Sequence, residues 1–153
     1  MPDRENQREP VDRVAAVCFR YVEKSVQFIL IRARSGGWTF PKGRVEEGET
    51  LWAAAQREAV EEACVRGRIE SEPFAIFPHE QRSSDGRRTD LTVAAYLLQV
   101  ESECDTPEHG RNPTWFGPEE ARQRLAENRD PRHQKAYFDV IDEACRRLAR
   151  RGA

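Results

Sequence analysis

The sequence predicts an α/β or α+β layer architecture, on two observations. Strand-like runs are interspersed with helical segments along the chain rather than segregated from them, and no repeat, low-complexity tract or linker divides the 153 residues. A chain of this length fits one core, because single cores split only beyond about 250–300 residues. Residues 11–150 are expected to form that domain, and the non-periodic residues 1–10 a flexible arm.

Val14, Ala16 and Cys18, then Phe28 with Ile29, Leu30 and Ile31, give two apolar runs separated by Glu23-Lys24-Ser25, which reads as a hairpin. Ser35-Gly36-Gly37 marks a turn and residues 38–40 a short strand. Pro41-Lys42-Gly43 opens a loop that carries Arg44, Glu46, Glu47 and Gly48. Residues 51–65 have helical periodicity, an alanine-rich first half and Thr50 in the N-cap position. Strands are expected at 74–77 and 91–100, the second long enough to be central, with the polar stretch 83–88 turning between them. Residues 105–113 read as a loop and 114–116 as a short strand, and Pro118 and Pro131 each open a helix.

Lys plus Arg number 25 against 27 Asp plus Glu, a formal charge of −2. So even a balance suits a soluble globule and disfavours a binder of duplex nucleic acid with a strong basic field. No apolar run approaches the ~20 residues of a membrane span, and the polar N-terminus has no signal-peptide core, so a cytoplasmic location without a membrane partner is expected. Cys18, Cys64, Cys104 and Cys145 show no C-x-x-C pair and no zinc spacing, and are expected to be reduced thiols. Only three of the 25 basic residues are lysines, which draws notice to Lys42.

At ~100° per residue, Glu58, Glu61 and Glu62 fall within an arc of roughly 100°, with Trp52, Ala59, Val60 and Ala63 opposite, so one face should pack and the other collect carboxylates. Like charges at these spacings cost an isolated helix about 0.2–0.5 kcal/mol per pair, and only Arg57 lies beside the trio; something positive should be bound there. Carboxylate oxygens suit a hard cation, and an incomplete set of protein ligands leaves positions for water and phosphate, the usual Mg²⁺ arrangement. A merely solvated face is the plain alternative. The preceding glycine-bearing loop, able to aim backbone groups at a metal–phosphate cluster with Lys42 beside it, favours the ion.

Gly43, five residues, Glu49, seven residues, then Arg57-Glu58-Ala59-Val60-Glu61-Glu62-Ala63-Cys64-Val65 resembles the Nudix box, the loop–helix–loop signature of the Nudix hydrolases. The resemblance implies a Nudix-type α/β/α sandwich with a mixed central sheet. Two positions depart from the pattern: Cys64 stands where glycine is usual, and Ala59 where a bulkier aliphatic is common. Cys64 is expected to prolong the helix or push the turn to Gly67, and to be a small buried residue without a partner.

The resemblance further implies that Glu58 and Glu62 are principal ligands of Mg²⁺ or Mn²⁺, with Glu61 a ligand directly or through water and the Lys42 carbonyl a contributor. Glu49 and Arg57 would form an ion pair that holds the loop against the helix. The implied reaction is attack of an activated water on a phosphorus of a diphosphate linkage, with the cations offsetting charge. Glu58 is one candidate for the base, and Glu80, Asp85, Asp90, Glu101 and Glu103 are alternatives outside the box.

Trp38-Thr39-Phe40-Pro41-Lys42-Gly43, with Glu46 and Glu49, is similar to the box of diadenosine polyphosphate hydrolases and diphosphoinositol polyphosphate phosphohydrolases. It implies a small-molecule polyphosphate substrate. Lys42, Arg44, and Arg32 with Arg34 on one strand face are candidate phosphate contacts. Tyr137 could stack on a base or pack in the core, Phe138 should pack, and His79 and His133 have no partner carboxylate in sequence and receive no role. A housecleaning pyrophosphatase of nucleoside triphosphates and a catalytically silent nucleotide-binding module are the other readings, the retained acids arguing against the second. The oligomeric state is left open.

Overall fold

A computed structural model describes residues 10–151, so the expected arm, apart from Pro10, lies outside the described residues. The expected hairpin is formed by β1 (Arg13–Val22) and β2 (Ser25–Arg32), paired antiparallel with Phe19 opposite Phe28. It is extended by β3 (Trp38–Thr39), β4 (Lys42–Gly43), β5 (Val65–Ile69), β6 (Ala75–Arg82), β7 (Arg88–Glu103) and β8 (Thr114–Phe116). β7 pairs with β1, β5 and β6, which makes it central as its length predicted. The β1–β7 pairing is parallel, with Ala15 opposite Ala95, and the others are antiparallel, so the sheet is mixed.

Both sheet faces are covered. Residues 14–19 of β1 are all buried, the continuous pattern of a strand enclosed on two sides. Their side chains alternate between two cores. Ala15, Val17 and Phe19 face the layer of α2 (Pro118–Ala126) and α3 (Pro131–Arg151), where Leu125, Tyr137 and Ile141 are buried. Val14, Ala16 and Cys18 face α1 (Leu51–Glu58) and the π-helical turn Ala59–Ala63 that continues it. Here small meets small: Ala54, Ala55, Ala59 and Ala63 of the helix share a core with Ala16 and Ala94 of the sheet. That brings the helix close to the strands, which matters for the carboxylates it carries.

Three details differ from the expected elements. Lys42 and Gly43 form a short strand against β1, with Gly43 opposite Val14, rather than the start of a free loop. The helix ends at Ala63, and the chain turns at Cys64 into β5, a strand hidden in the sequence because it abuts the helix without a polar break. Trp52, expected to pack, is 37% exposed; the alanines dock closely enough that the first turn leaves its indole at the surface.

Gly67 shows how tightly β5 lies on β7. Its backbone sits at a register shift, and a Cβ there would lie 1.9 Å from the carbonyl oxygen of Gln99. Gly67→Ala is therefore expected to destabilise the fold by about 1–3 kcal/mol, read as a lower thermal midpoint; an unchanged midpoint would contradict this strand pairing.

Candidate active site

Thr50 caps α1, its hydroxyl accepting from the Ala53 amide at 3.2 Å. From this start the helix runs under the loop of residues 44–49 and under β4, with Arg57, Glu58, Glu61 and Glu62 along that side. Glu58 and Glu62 are each only 8% exposed. The plain alternative of a merely solvated acidic face does not describe this helix, since two of the three acids are roofed by backbone. Gly43 permits this. A Cβ on it would lie 2.2 Å from Oε1 of Glu58, so any larger residue would displace either β4 or the carboxylate.

Buried carboxylates need compensation. Arg57 supplies much of it: its Nε and Nη2 donate to the two oxygens of Glu49 at 2.8 and 3.0 Å, and Nη1 donates to Glu58 at 2.9 Å and Glu61 at 3.3 Å. Nη2 also donates to the Arg44 carbonyl at 2.9 Å, tying helix to loop. On the other side, Glu62 accepts from the Lys42 amide and from Nη2 of Arg111, both at 2.8 Å. Arg111 is itself buried, and its Nη1 reaches the Arg32 carbonyl at 3.2 Å.

These surroundings set the protonation states. Burial, reinforced by Glu62, raises Glu58 to about 7 despite the opposing pull of Arg57. Burial raises Glu62 too, against the Lys42 amide and the Arg111 charge. Glu49 goes the other way, to about 2, because Arg57 and the Glu46 amide hold its ionised form. Lys42 falls to about 8 through burial and then through repulsion from Arg129, Arg111 and Arg13, with Glu62 opposing. A set of cations thus crowds around one end of the carboxylate group. The carboxylates themselves offer hard oxygen donors at a point where charge repulsion persists, a donor set that fits a divalent cation of the Mg²⁺ type.

The chain matches the NUDIX domain model over residues 11–140. It belongs to the Nudix family. Among curated Nudix relatives, it is 38% identical over 133 residues to "Nudix hydrolase 16, mitochondrial" of Arabidopsis thaliana, covering 74% of this chain and 72% of that one. It is 31% identical over 134 residues to human diphosphoinositol polyphosphate phosphohydrolase 2, covering 87% and 71%. Solved structures show the same fold: a C. elegans Ap4A hydrolase binary complex aligns with a TM-score of 0.66 at 21% identity, covering 92% of this chain and 98% of that one. The NUDIX domain of Shewanella oneidensis NrtR with ADP ribose aligns at 0.64 and 20%, covering 95% and 93%. The chain is a Nudix pyrophosphohydrolase.

Other expected residues fall in different places. Arg32 and Arg34 line a cleft of about 530 Å³ with Glu108 and Arg111; Arg32 lies over the Trp38 ring at 4.8 Å, and Arg34 pairs with Glu108 at 2.8 Å. Arg44 is exposed and reaches the box through its carbonyl. Tyr137 is fully buried, stacked on Phe40 at 5.7 Å with its hydroxyl 2.9 Å from Nδ1 of His79, so the packing option holds and its ring is not open to a base. Burial lowers His79 to about 2, so a neutral imidazole meets that hydroxyl. His133, read as partnerless, sits between Asp130 at 2.8 Å and Asp90 at 3.2 Å, with Glu80 at 3.9 Å.

The sequence reading missed Arg13, Arg111 and Arg129, three arginines among 22 with no local pattern to mark them. Only the return of the 105–113 loop to β2 brings Arg111 to Glu62. Of the candidate bases outside the box, Asp90 pairs with Arg132 and Glu80 with Arg88. Asp85 closes its own turn, Glu101 pairs with Arg68, and Glu103 accepts from the Trp115 indole.

Two outcomes follow. Glu49 titrates near 2 when folded and at 4.5 ordinarily, so its pair stabilises fully above the ordinary value and the contribution fades as pH falls toward the folded one. Glu49→Gln should lower the thermal midpoint of the metal-free chain at pH 7, with the gap to wild type closing as pH is lowered through that window; a gap independent of pH would discount the pair. Tyr137→Phe should cost about 1 kcal/mol of stability while leaving KM unchanged, and a raised KM would return the ring to the substrate site.

Proposed function

We propose that this Nudix enzyme hydrolyses a diphosphate linkage in a small polyphosphate, a diadenosine polyphosphate or a diphosphoinositol polyphosphate, using Mg²⁺ or Mn²⁺. The observation that carries the reading is the environment of Glu62, where the Arg111 guanidinium and the Lys42 backbone amide donate to a carboxylate that shares its helix face with Glu58 and that also feels the charge of the Lys42 ammonium. Carboxylates for cations beside cations for phosphates are what a polyanion carried with divalent ions requires. The names of the human and C. elegans relatives support the same substrate classes.

Glu58, Glu61 and Glu62, with the Lys42 carbonyl, would hold the ion. Once bound, it supplies charge neutralisation at the phosphoryl oxygens and lowers the cost of deprotonating water. The chain's own groups do the rest. Oε1 of Glu58 takes the Arg57 hydrogen bond, which orients the carboxylate and leaves Oε2 as the atom to accept a proton from water. Without the ion, burial raises Glu58 to about 7, so cation binding there would displace a proton at neutral pH. Arg57 and Glu49 fix the loop, and Gly43 gives the space in which Glu58 turns. Lys42 and Arg111, with Arg32, Arg34 and Arg44 around the rim, would hold the phosphates. A cytoplasmic site of action is part of this reading; among the described residues no helix is long and apolar enough to cross a membrane.

The test is phosphate release with Mg²⁺ across diadenosine tetraphosphate, diphosphoinositol phosphates, nucleoside triphosphates and ADP-ribose. Turnover confined to the last two would overturn the substrate assignment. Glu58→Gln should reduce turnover roughly 10²–10⁴-fold with the thermal midpoint nearly unchanged. Glu62→Gln should reduce it comparably and also lower the midpoint, because Arg111 loses its buried counter-charge. Near-normal turnover in either variant would refute the assignment.

A further inference from the structure

The four cysteines were expected to be reduced, and the structure corrects this: Cys64 and Cys104 form a disulfide, while Cys18 and Cys145 are free. Cys64 is two residues beyond Glu62 and is the backbone exit from the π-helical turn that carries Glu61 and Glu62. It adopts φ 58° and ψ 41°, the left-handed region that a residue with a Cβ disfavours and glycine accepts freely. Its amide closes the turn onto the carbonyls of Ala59 and Val60, and its own carbonyl accepts from the Cys104 amide at 2.8 Å. The cross-link thus pins an unfavourable backbone conformation, at the end of an uncommon helical geometry, to the end of β7. The Cα atoms lie 5.2 Å apart, a separation normal for a bridge.

We propose that the Cys64–Cys104 bridge is a reversible redox modification site, at which a dithiol reductant acts as co-substrate, and that the oxidised form is the one that holds Glu61 and Glu62 in place. The inference rests on the reading of those glutamates as cation ligands. Cys64 is 3% exposed whereas Cys104 is exposed, so the attacking thiolate reaches the sulfur of Cys104. A mixed disulfide forms there and the Cys64 thiolate leaves. The reductant's second thiol then displaces the Cys104 thiolate; two electrons and two protons pass to the cysteines, and the reductant becomes a cyclic disulfide. Without the covalent tie, Cys64 relaxes from the left-handed region, the π-helical turn loses its fixed end, and the two acids shift, Glu61 from Arg57 and Glu62 from the Lys42 amide and Arg111.

The experiment uses the full chain, oxidised and then reduced with a small dithiol, with thiols counted in denaturant to define each state. Amide hydrogen exchange of Cys64 and Cys104 and the affinity for Mn²⁺ alone are measured in both. Reduction should raise the thiol count from two to four, speed exchange at both amides and weaken Mn²⁺ binding about 10-fold. Cys104→Ala should match the reduced form. Cys64→Gly, which needs no bridge to hold the left-handed turn, should bind Mn²⁺ like the oxidised chain and ignore the reductant. A count of four thiols under oxidising conditions overturns the proposal, as does exchange and Mn²⁺ binding that are identical in both states. Redox-dependent exchange and Mn²⁺ binding in a chain that hydrolyses no polyphosphate would support the switch and overturn only the proposed reaction.

Discussion

The structure turns on the burial of two carboxylates, Glu58 and Glu62, beneath a strand that passes directly over them. Ionised carboxylates are costly to bury unless charges and hydrogen bonds answer them. Here the answer is divided. Arg57 serves Glu58 while spreading its guanidinium over Glu46, Glu49 and Glu61 as well, and Arg111 with the Lys42 amide serves Glu62. The compensation is incomplete, which is why Glu58 titrates near neutrality. A site left electrostatically unsatisfied in this way is suited to binding a cation, and the residual repulsion among its acids is what such binding would relieve.

The scaffold explains how this arrangement is held. Alanines on the inner side of α1 let it approach the sheet, the capped N-terminus fixes its start, and the turn at Cys64 fixes its end. The same closeness that brings Glu58 under Gly43 also sends Trp52 to the surface. On the opposite sheet face the aromatic packing of Phe40, Phe77 and Tyr137 anchors the strand entering the box. Thr39 links the two regions: its hydroxyl lies 3.4 Å from that of Tyr137 and accepts from Nζ of Lys42 at 3.3 Å.

The proposed substrate side is less local. Lys42 comes from the box, but Arg111 comes from the loop before β8, Arg129 from the segment between α2 and α3, and Arg13 from the start of β1. Their convergence creates the positive rim that a polyphosphate reading needs. His133 and its carboxylates join α3 to the β6–β7 hairpin.

Local pattern in the sequence sufficed for the hairpin, the capped helix, the central strand and the Nudix box, because each depends on residues close in the chain: alternation, helical periodicity, caps and fixed spacing. The Glu49–Arg57 pair was implied by the resemblance to the box, and the structure forms it. What tertiary structure alone decided were the contacts between distant segments: Arg111 on Glu62, Asp90 and Asp130 around His133, Tyr137 in the core, and Cys104 on Cys64. No periodicity encodes these. They exist because loops and strand ends meet only when the sheet has formed, and burial then turns charges that look solvated in a linear chain into groups that must find partners.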